Sequence, residues 1–259
     1  MSMILRKPML TLMAAAGLFL PAALQAQQLR FNEREAAPSP HVQDKDDIWT
    51  LNFRFKDPRM LVVNVPGRGQ KVVWYMWYQL VNNDKVPHSV ILDFDLVTRD
   101  KGERDKFLSF HDEILPTVQE EIRKIEDPTN RFNIQNTVTI GQKPIPISKP
   151  DAAPRTITGV AIWPDVFDKA RDTTHFDIFV SGLSSGWSID DQGKIRRKTL
   201  QLEFKRMGDG SRVDNNEIKF VESKWFYRET TANVGLQLPA SVQPEGGPAT
   251  PPAEPKKDQ

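Results

Sequence analysis

The stretch "KVVWYMWYQLVNN" at 71–83 constrains the fold more than any other part of the chain. Two tryptophans and two tyrosines fall within five successive positions, 74–78. Read as a strand, it puts Val72, Trp74, Met76, Tyr78 and Leu80 on one side and Val73, Tyr75, Trp77, Gln79 and Val81 on the other, because side chains alternate across a strand. A strand in a two-sheet sandwich needs one apolar face, and this one has two. Each large side chain left in water forgoes ~1.5–3 kcal/mol, so the second face demands a partner. The run is too short for a membrane helix, which needs about 20 apolar residues. Two readings stand for Tyr75 and Trp77: another element of the chain covers them, or they form an exposed aromatic patch for a ligand.

A candidate cover follows downstream. After Pro116, Val118, Ile122 and Ile125 recur at helical spacing, Glu120 and Glu121 precede Arg123 and Lys124, and Asp127-Pro128 stops the pattern. Pro at the first helical position and acids before bases are helix signals. The spacing predicts a short amphipathic helix over 116–125 with one apolar stripe to bury.

The rest of 48–230 reads as β-rich. Strands are expected over 49–55, 60–65, 71–81, 89–98, 133–140, 156–163, 175–181, 196–205 and 224–228, from alternation of apolar and polar residues. Turns are expected at Asp57-Pro58, Gly67-Arg68-Gly69, Asn82-Asn83-Asp84 and Asp209-Gly210. Prolines at 144, 146, 150 and 154 make 141–155 an extended loop. Short strands separated by turn signals imply an antiparallel sandwich or barrel. The chain has no cysteine, so a hydrophobic core must stabilise it without disulfides.

The flanks differ in composition. Arg6 and Lys7, the apolar run Met9–Leu20, Pro21 and Ala23-Leu24-Gln25-Ala26 make 1–26 a secretory signal peptide. Gln27, not Cys, follows, so lipid attachment there is not indicated. Residues 27–47 read as a polar linker and 231–259, with six prolines after residue 238, as a disordered tail. No second long apolar segment occurs, so the mature chain is expected to have no transmembrane segment. Removing 1–26 takes away two positive charges and no acid, so the net charge falls from +1 to −1. That balance excludes the basic footprint of a nucleic-acid binder.

The order of "WYMWYQLVNN", "HSVILDFDLVT", "TITGVAIWPDV" and "FDIFVSGLSSGW" resembles exported bacterial immunoglobulin-like domains. There, an early Tyr-x-Leu/Val-x-Asn strand runs into an Asn turn, and a later Gly-Val strand precedes a Phe strand ending in Gly. Over 48–230 the chain is similar to an uncharacterised family of secreted bacterial proteins. The resemblance implies a mainly β, antiparallel immunoglobulin-like β-sandwich with one short helical insertion, and it brings no catalytic or ligand residues.

Motifs that carry chemistry are few. Gly182-Leu183-Ser184-Ser185-Gly186 fits G-x-S-x-G, but no helix follows and the last histidine, His175, precedes the serine, against the hydrolase elbow. His41, His88, His111 and His175 lack metal-ligand spacing. Asp93 and Asp95 share one strand face, which reads as a solvated surface paired with basic side chains. Asp190-Asp191-Gln192-Gly193 lacks the spaced ligands of a calcium loop and reads as a hairpin turn. No catalytic residue, metal or cofactor is expected. Trp187, in an expected loop, is either an interface anchor or a cap on the sandwich end. The composite expectation is an exported, non-enzymatic binding or structural module, periplasmic or extracellular. Its partner would be a protein or an envelope polymer. The first alternative is a carbohydrate- or polymer-binding module using Tyr75, Trp77 or Trp187; the second is a hydrolase.

Overall fold

The computed structural model describes residues 33–100, 107–149, 151–208 and 213–229. The expected signal peptide, tail and Asp209-Gly210 turn lie outside the described residues. The described chain is mainly β, with two antiparallel sheets over a shared core, the arrangement of a β-sandwich. In the first sheet β1 (Glu33–Ala36) pairs with β2 (Asn52–Lys56). β2 and β3 (Arg59–Val65) together line one edge of β4 (Gly69–Val81). The other edge of β4 pairs with β7 (Thr156–Trp163). The second sheet runs β6 (Ser109–His111), β5 (Asp93–Thr98), β8 (His175–Ser181), β10 (Ile195–Arg206), β11 (Ile218–Glu229). The short β9 (Trp187–Ile189) pairs with the start of β10. Helices α1 (Pro116–Glu126) and α2 (Thr137–Ile140) lie between β6 and β7 in the chain, and α3 (Val166–Lys169) follows β7.

Both faces of β4 are buried, against different partners. Trp74, Met76, Tyr78 and Leu80 meet Phe94, Phe176, Ile178, Leu202 and Phe204 of the second sheet. Val73, Tyr75 and Trp77 join Val63, Val65, Val160 and Ile162 beneath Val118 and Ile122 of α1. The helix therefore covers the second face. Leu115 and Phe132 complete this outer core, whereas Ile125, expected in the stripe, is 50% exposed. The helix end is held by polar contacts instead. The Glu126 side chain, 2% exposed, accepts from Lys56 Nζ at 2.8 Å, Arg59 Nη1 at 2.8 Å and the Tyr75 hydroxyl at 3.0 Å.

An extra residue between β2 and β3 makes this second core possible. Phe55 pairs with Tyr78 and Arg59 with Tyr75, so four steps on one arm face three on the other. Such a bulge reverses which parity faces which side. Before it Phe53 and Phe55 point to the sandwich core; after it Met60 does, and Val63 and Val65 turn to the helix. The expected turn at Asp57-Pro58 is thus corrected: Pro58, which lacks an N–H for the ladder, sits at a bulge in one long hairpin arm. The reversal comes later, where Arg68 N–H donates to Val65 O at 2.9 Å and Gly67 has φ 74°. Pro at the second and Gly at the third position suit a type II turn.

Other expectations need revision. Residues 133–140 are not a strand: the Asn136 side chain accepts from Val138 and Thr139 N–H, Thr139 reciprocates, and this capping box starts α2. Within 89–98 only β5 is strand, with Ile91 59% exposed. The last strand, Ile218–Glu229, is longer than 224–228, and a register shift opposite Glu203/Phe204 interrupts its alternation. The 27–47 linker is corrected from residue 33 onward, since β1 pairs with β2 and the following residues are fastened to the second sheet. Trp187 lies in β9 rather than in a loop, paired with Arg197.

The helix contact yields a paired test. Ile122→Ala, at a fully buried site, should lower unfolding free energy by about 2–5 kcal/mol. Ile125→Ala should change it by less than about 0.5 kcal/mol. Urea denaturation of the two variants measures both.

Candidate functional site

The structure separates the residues singled out in the sequence. Tyr75 and Trp77 are each 2% exposed under α1, so neither presents a face to a partner; their role as binding aromatics is corrected. Tyr75 bonds Glu126, and Trp77 has Lys56 Nζ 4.5 Å over its ring and Phe132 at its edge. Burial, then the Glu126 carboxylate, push the Tyr75 phenol well above its ordinary range. Trp187 is half-buried, with Lys45 Nζ 3.5 Å from its ring centroid.

The Ser184 hydroxyl is occupied structurally. It donates to Trp49 O at 2.8 Å, accepts from Gly186 N–H at 3.1 Å and lies 2.9 Å from Thr50 Oγ1. Gly182 has φ 87°, and a Cβ there would collide with Ile91 O. The G-x-S-x-G pattern therefore records a tight crossing, not a nucleophile elbow. The Asp190 turn closes the β9–β10 hairpin, its Oδ1 accepting from Gln192 and Lys194 N–H. Among the described residues no group of three or more His, Cys, Asp or Glu is placed to hold a metal ion.

A different site assembles where the 37–51 segment crosses one end of the sandwich. Trp225 Nε1 donates to Ala37 O at 2.9 Å. Asp44 accepts from Lys198 Nζ at 2.6 Å, Tyr227 hydroxyl at 2.8 Å and His41 N–H at 2.9 Å. Trp49 N–H donates to Ser185 Oγ at 3.0 Å, and Leu51 N–H to Leu183 O at 2.8 Å. Lys198 itself is 2% exposed. Burial acts to raise the Asp44 carboxyl, but donors from Lys198, His41 and Tyr227 outweigh it and hold the group below its usual range.

This strap walls an open cleft of about 390 Å³. Pro38, Pro40, Asp44 and Ile48 form one side; Trp49, Thr50, Asn52, Asn83, Asp84 and Lys198 form the rest. The His88 ring stacks on Trp49 with centroids 4.3 Å apart, and its Nε2 lies 2.6 Å from Asp84 Oδ2. The buried Asn82 holds the loop that carries Asn83 and Asp84: its amide donates to Val86 O and Ile145 O while its carbonyl accepts from Asp84 N–H. The site escapes a motif search because it draws on three distant segments. One signal was present, however: Lys198 shares the parity of Leu200, Leu202 and Phe204, which marks a cation on the core face.

Elsewhere, carboxylates gather at the β5–β6 edge. Asp95 accepts from Ser109 Oγ and from Arg228 Nη2, the latter at 2.8 Å, so it pairs with a basic side chain as expected, but at 6% exposed it is buried and the expected solvated surface is corrected there. Asp112 accepts from Thr137 Oγ1 at 2.8 Å, and burial, with Asp93 adding to it, pushes its carboxyl up to about 6.

No protein-family model, no curated protein and no solved structure matches this chain.

The two aspartates predict opposite pH effects. Asp112 has a folded pKa raised above its unfolded value of ~3.9, so the folded state binds more protons and stability falls as pH rises from about 4 to 6. Asp112→Asn should therefore stabilise the protein at pH 7.5, by up to about 3 kcal/mol, and leave it unchanged near pH 3.5. Asp44, with a depressed folded pKa, stabilises above its unfolded value, and that stability is lost as pH falls through the folded value. Asp44→Asn should cost about 3 kcal/mol at pH 7.5, because it leaves Lys198 buried without a counter-charge. Thermal or urea unfolding across pH distinguishes the two variants.

Proposed function

We propose that this chain is an exported, non-enzymatic binding module of the cell envelope or extracellular space, built on an immunoglobulin-like sandwich. Export rests on the pattern of residues 1–26. The strand pairing supports the immunoglobulin-like arrangement. β4 pairs with β7 in one sheet, and β5, β8 and β10 are successive neighbours in the other. That matches the B–E and C–F–G pairings of immunoglobulin domains, with β2 and β3 in the place of strand A. The α1–α2 insertion covers the outside of the B–E side.

The observation that carries the binding role is the cleft at one end of the sandwich. Sandwich folds present loops at their ends on a rigid scaffold, and binding groups concentrate there. Here the 37–51 strap is held by a buried lysine, two tryptophans and a serine pair, so the cleft walls are fixed before any ligand arrives. Such pre-organisation lowers the ordering cost of binding.

The test has two arms. Expression of the full chain in a bacterial host, with fractionation and mass spectrometry, should place a shortened chain starting at Gln27 in the periplasm or medium; a full-length cytosolic chain would overturn export. Immobilised mature chain should retain an envelope component saturably, while a variant doubly substituted at Asn83→Ala and Asp84→Ala should not. Retention of no component would overturn the binding role.

A further inference from the structure

We infer that the cleft between the 37–51 strap and β10 binds a neutral, hydroxyl-rich ring, such as one terminal unit of a saccharide chain. The inference rests on the binding-module proposal and names its ligand class. Its basis is the set of hydrogen-bonding positions left unspent there. A carboxylate offers about four lone-pair sites and an ammonium three donors. Asp84 Oδ1 accepts from Lys85 N–H at 2.7 Å and Oδ2 contacts His88, which leaves acceptor positions on both oxygens. Lys198 has Asp44 as its one hydrogen-bond partner among the described residues, so two donors of a nearly buried ammonium remain. Asn52 donates through Nδ2 to Glu35 at 2.6 Å and keeps its carbonyl. The exposed Asn83 adds an amide with both kinds of group.

Donors and acceptors thus both belong to residues lining one small space. A hydroxyl donates and accepts at once and satisfies such a mixture; a simple anion or cation does not. Charge argues the same way. The Lys198 cation is matched by Asp44, and Asp84 sets a negative edge that disfavours carboxylates and phosphates. A cation would meet the Lys198 ammonium. Trp49 is the aromatic residue among those lining the cleft; His88 stacks on its ring, so the C–H face of a sugar ring would pack against what that stack leaves free. The volume, about 390 Å³, is near the lower bound of ligand sites at ~300–1,000 Å³, which fits a chain end better than a long segment. Of the aromatics expected to bind, Trp187 neighbours this site by holding Lys45 of the strap, while Tyr75 and Trp77 lie in the α1 core.

The experiment uses the mature chain with chitobiose, cellobiose and maltose, each at about 10 mM, and inorganic phosphate as the anionic control. Saturation-transfer NMR should show transfer to at least one disaccharide, weakened at least tenfold in Asn83→Ala and Asp84→Asn. Both residues are exposed enough to change without loss of the fold, which circular dichroism checks. Trp49→Phe, which keeps a ring, should reduce transfer less than Trp49→Ala. Absence of transfer to all three sugars would overturn the inference, as would transfer unchanged in both polar variants or phosphate binding as tightly as the sugars. If envelope capture persists while every sugar fails, the ligand class is wrong and the binding module stands. If capture also fails, the module itself falls.

Discussion

The architecture depends on one strand with two apolar faces. β4 pairs along both edges and is buried on both sides, so every neighbour must be shaped to it. One side closes against the second sheet through Trp74 and Tyr78, the other against α1 through Tyr75 and Trp77. Gly159 belongs to the same constraint: it faces Tyr78 across the ladder, and a Cβ there would strike the tyrosine ring. The Gly-Val signature of the β7 segment is therefore space made for an aromatic, and the Asn after β4 is a buried amide that ties down the next two loops. These punctuation residues have physical reasons that do not require a shared function.

Much of this was legible in the sequence. The doubled apolarity of 71–83 demanded a cover, and the stripe at Val118 and Ile122 offered one. Leu200, Leu202 and Phe204 alternate cleanly and are fully buried. What was missed has common causes. The bulge at 57–58 was hidden because Asp-Pro signals an interruption without saying whether the chain reverses. α2 was hidden because Thr and Val favour strands locally, while a single Asn cap decided the outcome. β1 and the strap were hidden because polar segments pinned by a few long-range hydrogen bonds carry no periodicity. The cleft was invisible for the same reason: Asp44, Asp84 and Lys198 are ordinary residues until the fold brings them together.

β10 shows how charge delimits a core. Its core-facing row reads Lys198, Leu200, Leu202, Phe204, Arg206, and both cations are 2% exposed. Lys198 meets Asp44 at one end; Arg206 meets Glu217 and Arg171 O at the other, with its guanidinium over Trp74. Each long stem extends the apolar layer while its head closes it with hydrogen bonds. One of these end-plates faces a cleft, and the other is closed by Glu217 and the Arg171 carbonyl.

The bulge between β2 and β3 also governs which changes in chain length this protein tolerates. Losing the one extra residue would leave three steps on each arm, a regular ladder that keeps Met60, Val63 and Val65 on their present sides. Losing two would leave two steps against three and, in a regular ladder, would turn Val63 and Val65 into the sandwich core and Met60 toward α1, exchanging two packed layers at once. Surface loops elsewhere can lengthen at small entropic cost. The hairpin arm therefore acts as a phase lock: it tolerates the loss of its extra residue but not a length change that turns the residues after it to the other face.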